Sequence, residues 1–83
     1  MTRNQIHSYL GSIISAVTET PDGAPCGVVY MALMMRCGVN FDDYMMLQSL
    51  LVSNGICALE SDVLRITDNG RKIAHEIYKI RSR

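Results

Sequence analysis

Apolar residues recur along the chain at helical spacing. Ile6, Tyr9, Leu10, Ile13, Ile14 and Val17 follow the i, i+3, i+4 rule of a single stripe, with Ser8, Gly11, Ser12 and Ser15 between them. Thr2-x-x-Gln5 ahead of the stripe has the form of a capping box, so a first helix is expected over about residues 3–18. Thr20-Pro21-Asp22-Gly23-Ala24-Pro25 is a cluster of turn formers and reads as a loop, with Pro25 suited to the first turn of a following helix. Residues 28–35 are apolar throughout. Periodicity alone does not separate a buried strand from a buried helix there. Pro25 before the run, Gly38 after it and its Ala, Leu and Met content favour a helix. Asn40 is a good N-cap, with Asp42 and Asp43 in the first turn and Leu47, Leu50 and Leu51 continuing an apolar face. A third helix is therefore expected over about residues 41–53, stopped by Asn54-Gly55.

Two short strand-like runs follow, residues 55–60 and 63–66, joined by Ser61-Asp62 as a tight hairpin. An isolated hairpin is marginal in water, so helices must pack beneath it. Thr67 then caps a last helix whose stripe is Ile73, Ala74, Ile77 and Ile80, and residues 81–83 are expected to fray. The pattern thus predicts a mainly α chain with a small two-stranded β-hairpin, in the order α-α-α-β-β-α.

The chain has 83 residues, 48% of them hydrophobic and 19% charged, which fits one ordinary globular domain over 1–83 and not a disordered segment. No apolar run approaches the ~18 residues of a membrane span, and Met1 to Gln5 lead into an alternating polar segment unlike a signal-peptide core. A cytoplasmic protein without a membrane partner is expected. Cys26, Cys37 and Cys57 are widely spaced and read as three buried reduced thiols. His7 and His75 read as exposed helix positions, so no metal or cofactor is expected. Phosphate-binding glycine loops, nucleophile elbows and zinc-helix motifs are all missing from the sequence, so no enzyme is expected.

Helix, helix, tight turn, helix, hairpin, helix resembles the order of a winged helix-turn-helix domain. Cys37-Gly38-Val39-Asn40 supplies the turn, and Leu47-x-x-Leu50-Leu51 running to Ile56 resembles a recognition helix passing into a wing strand. Leu64-Arg65-Ile66-Thr67-Asp68-Asn69-Gly70 is similar to the leucine, threonine, two residues, glycine signature at the wing exit of MarR-type and PadR-type regulators. The resemblance spans about residues 26–80. It implies a small dimeric transcriptional regulator with its third helix in the major groove of double-stranded DNA, its wing beside the backbone and its terminal helices at the dimer seam. On that basis the candidate DNA contacts are Gln48, Ser49 and Ser53 on the third helix, with Arg65, Arg71 and Lys72 reaching phosphates from the wing and the last helix.

Charge refines this expectation. Arg65, Arg71, Lys72, Lys79, Arg81 and Arg83 against Asp68 and Glu76 give residues 65–83 a net +4, leaving −4 for residues 1–64 and zero for the whole chain. The third helix carries Asp42 and Asp43 and no Lys or Arg, and Glu60, Ser61 and Asp62 occupy the wing tip where the MarR pattern is basic. Five of the six methionines lie on the second and third helices. A helix apolar on all sides must be covered on all sides, which a chain this short does not manage alone. The alternative reading is therefore a winged-helix protein-interaction or dimerisation module, with Tyr30, Met31, Met34 and Met46 as the candidate surface and a second copy or another protein as the partner.

Overall fold

A computed structural model describes residues 1–80; the expected fraying of residues 81–83 lies outside the described residues. Among the described residues there are four helices and a three-stranded antiparallel sheet: α1 (Arg3–Thr18), β1 (Ala24–Pro25), α2 (Cys26–Cys37), α3 (Phe41–Ser53), β2 (Cys57–Glu60), β3 (Val63–Ile66) and α4 (Asp68–Glu76). None of these helices is long and apolar enough to cross a membrane.

Local chemistry sets most boundaries. The Thr2 hydroxyl accepts from the Gln5 N–H at 3.1 Å while the Thr2 N–H donates to the Gln5 Oε1 at 2.9 Å, so α1 starts on a complete capping box. α2 ends where Gly38 turns left-handed at φ 70°, a conformation that penalises a Cβ. Asn40 then caps α3 by accepting from the Asp43 N–H at 2.8 Å, with Asp42 and Asp43 at the positive end of the helix dipole.

The third strand was not expected. Residues 24–25 read as loop, yet Ala24 pairs with Leu64 and Pro25 with Val63, and the Cys26 N–H donates to the Asp62 carbonyl at 2.9 Å. The sheet order is β1-β3-β2, and Pro25 is tolerated because β1 lies at the edge, where a missing donor breaks no central ladder. α4 also departs from expectation. It stops at Glu76, Lys79 reverses the chain at φ 57°, and the Ile80 N–H donates back to the Ala74 carbonyl at 2.9 Å. Ile77, expected on the buried stripe, is exposed, whereas Ile80 reaches the core by this turn instead of by further helix.

α1 lies at the centre, packed against α2, α3, α4 and β3. Its Ile13, Ile14 and Val17 meet Val29 and Leu33 of α2, Tyr44, Leu47 and Leu51 of α3, Cys57 and Leu64 of the sheet, and Ala74 of α4 in one core cluster. The α1–α4 edge closes where Tyr78 stacks on His7, with ring centroids 4.6 Å apart, over a Gly11 that leaves room for the ring.

The Thr67-x-x-Gly70 pattern has a physical basis. The Thr67 side chain accepts from the Gly70 N–H at 2.9 Å, and its hydroxyl donates to the carbonyl of Gly55, with that of Ile56 at 3.0 Å. The Thr67 N–H donates to the same Ile56 carbonyl at 3.1 Å. One residue thus caps α4 and ties it to the end of α3. Gly70 then lets the helix backbone lie directly against Ile56.

Candidate interaction surface of α2 and α3

The buried sides of α2 and α3 determine what their other sides offer. Val29 and Leu33 anchor α2 in the core, so helical spacing turns Val28, Met31 and Met35 outward, and they are 60%, 55% and 79% exposed. On α3, Tyr44, Leu47, Gln48 and Leu51 face inward, which leaves Asp42, Met46, Ser49 and Ser53 exposed on the opposite side, flanked by Phe41 and Met45. Tyr30 links the two helices. Its ring meets Phe41 edge-on at 5.4 Å and Tyr44 at 5.3 Å, so the flank of α2 continues into the start of α3.

Of the residues expected to read DNA, Gln48 must be withdrawn. It is only 4% exposed and accepts a 2.8 Å hydrogen bond from the Tyr44 hydroxyl, one helical turn away inside the core. A buried amide needs such a partner, and the phenol supplies it. The spacing of Tyr44 and Gln48 was the signal that could have found the pair. Ser49 and Ser53 are exposed as expected, but on a face whose only charge is Asp42. Arg65 is exposed on β3, its stem lying over Gly23. Lys72 is exposed on α4, and Arg71 beside it is half-buried and engaged in an interaction of its own. No cation therefore stands on the outward side of α3.

Of the residues expected to meet a protein, Met31, Met34 and Met46 are exposed, whereas Tyr30 is half-buried and holds α2 to α3. Val28, Met35, Phe41 and Met45 belong to the surface and were missed. Val28 and Met35 follow from helical geometry once Val29 and Leu33 are known to be buried, and Phe41 and Met45 once Tyr44, Leu47 and Leu51 are.

The thiols differ from expectation. Only Cys57 is buried, and desolvation pushes its pKa up to about 11; Cys26 and Cys37 are half-buried. Burial likewise raises the Tyr44 phenol well above its ordinary value, keeping it a neutral donor to Gln48. Among the described residues, no group of three His, Cys, Asp or Glu could hold a metal ion.

Replacing Gln48 with alanine strands the Tyr44 hydroxyl in the core and is expected to destabilise the fold by about 1–3 kcal/mol in urea unfolding. If Gln48 contacted DNA from an exposed site instead, the change would leave stability within about 0.5 kcal/mol.

No protein-family model matches the chain, and no curated protein or solved structure matches it either.

Proposed function

We propose that this chain is a winged-helix protein-interaction module whose outward α2–α3 face associates with a second copy of itself. The winged-helix part is supported by a helix-turn-helix, α2 and α3, followed by the β2–β3 hairpin and a closing helix pinned through Thr67 and Gly70. β1 adds to this support, because it ties the α1–α2 connection to β3 and makes hairpin and helices one unit.

One observation carries the functional part: the face that a DNA-reading helix would present is apolar and acidic. Phosphate contacts require cations, and base readout requires long polar side chains, neither of which α3 exposes. Val28, Met31, Met34, Met35, Phe41, Met45 and Met46 together expose on the order of 700 Å², close to the ~800 Å² each partner contributes to a standard interface. Tyr30 against Phe41 links the two helices that carry these residues, and large exposed apolar surface marks interaction sites. A second copy matches the patch in both area and chemistry, and adaptable methionines suit a self-complementary surface. Sedimentation equilibrium is expected to give a dimer with a dissociation constant in roughly the micromolar range. A monomer at every concentration up to about a hundredfold above that range overturns the proposal.

A second reading, a DNA-binding regulator, draws on the exposed Arg65 and Lys72 and on the net +4 of residues 65–83. Phosphate contacts from this edge would give a linear fall of log affinity with log salt, with a slope of about −0.9 per phosphate. Our reading predicts no binding to random duplex DNA tighter than the ~10⁻⁴–10⁻⁶ M of non-specific association. Tighter binding, with a slope for several phosphates that Arg65→Glu and Lys72→Glu abolish, would favour the regulator.

A further inference from the structure

A cavity of about 230 Å³ opens between α1 and α2, and none of the outward methionines lines it. Buried Ile13, Val29 and Leu33 contribute an apolar floor, and Ser12, Ser15 and Ala16 are half-buried along the α1 wall. Two opposite charges also line it: Glu19, the C-cap of α1, and Arg36 in the last turn of α2. Both residues are exposed, and among the described residues neither has an ion-pair partner.

We propose that this cavity binds a small zwitterion, an α-amino acid with an apolar side chain. The guanidinium of Arg36 presents a planar fork of donors that matches a carboxylate. The Glu19 carboxylate is an acceptor for an ammonium, and the apolar floor takes the side chain. Size agrees: a cavity of about 150 Å³ holds benzene, so this one accommodates a leucine- or phenylalanine-sized molecule whose charged end lies at the mouth. A purely apolar ligand would use the floor and leave both charges idle. A simple anion would meet Glu19 as a repulsive neighbour. The zwitterion satisfies all three surfaces together.

The test is an amide-resolved NMR titration of the full chain with L-leucine and L-phenylalanine, alongside N-acetyl-L-leucine, L-leucine amide and glycine. Saturable shifts at Ser12, Ser15, Ala16 and Ala32 are expected with the two apolar amino acids. Removing either ligand charge, or introducing Arg36→Gln or Glu19→Gln, is expected to weaken binding by roughly tenfold or more. Both substituted side chains are exposed, so these variants fold, and thermal unfolding verifies it. Absence of saturable shifts at about 10 mM ligand overturns the proposal, as does binding indifferent to both variants, which would mean an apolar seat alone.

Discussion

Gly70→Ala is expected to lower stability by about 3 kcal/mol or more, seen as a fall of about 15 °C or more in the melting temperature followed by circular dichroism. A Cβ at this position would stand 2.8 Å from Ile66 Cγ1 and 2.9 Å from the Ile56 carbonyl carbon, and would overlap the carbonyl oxygen. That carbonyl has no room to withdraw. It accepts from the Thr67 N–H at 3.1 Å, and the Ile56 N–H is itself held by the Leu51 carbonyl at 2.9 Å. Relief would require lifting α4 off the end of α3, exposing Ala74 and breaking the Thr67 bonds. Helix propensity predicts the opposite sign, because alanine is better than glycine inside a helix by about 1 kcal/mol. Gly27→Ala is the matched control. Gly27 is also helical, but nothing lies within 4 Å of its would-be Cβ, so this change is expected to be neutral or stabilising by up to about 1 kcal/mol. Equal effects at the two glycines would refute the close α4 contact.

Met31→Glu together with Met35→Glu is expected to weaken self-association by roughly 100-fold or more, because association would strip water from two carboxylates on each copy. Both methionines point away from the core, so the double variant should keep its melting temperature within a few degrees. This split between association and stability distinguishes an interface from a packing role. If Met31 and Met35 filled gaps in the fold, the melting temperature would drop together with any dimer. Glutamates at Lys72 on α4 and at Lys79 in the turn after it should leave association unchanged, since the proposed seam lies on α2 and α3.

Much of the architecture was legible because local chemistry governs it. The capping box at Thr2, the Gly38 stop, the Asn40 cap and the Ser61-Asp62 turn each act over a few residues, and the elements they delimit stand where the pattern put them. What escaped depends on distant partners. β1 exists only because Ala24 finds Leu64 forty residues later, and no two-residue strand containing proline announces itself locally. The end of α4 is set by packing of Tyr78 on His7 and Ile80 on the core, so the apolar spacing of Ile77 misled. At the candidate site, the exposure of Met31, Met34 and Met46 followed from the excess of apolar positions on α2 and α3. The inward turn of Gln48 did not, because a polar residue on a helix reads as solvent-facing until its buried partner Tyr44 is in view.

The central claim, that the outward α2–α3 face meets a second copy of the chain, is tested most directly by the methionine ε-methyl NMR spectrum in a dilution series. Met31, Met34, Met35, Met45 and Met46 belong to that region, and exposed Met1 at the start of the chain is a built-in reference. We predict that the resonances of Met31, Met35 and Met46 move together with protein concentration while Met1 stays fixed, and that the Met31→Glu, Met35→Glu variant abolishes the movement of Met46. Methyl resonances that ignore concentration, yet shift when duplex DNA is added, would contradict the account and return the face to a nucleic acid.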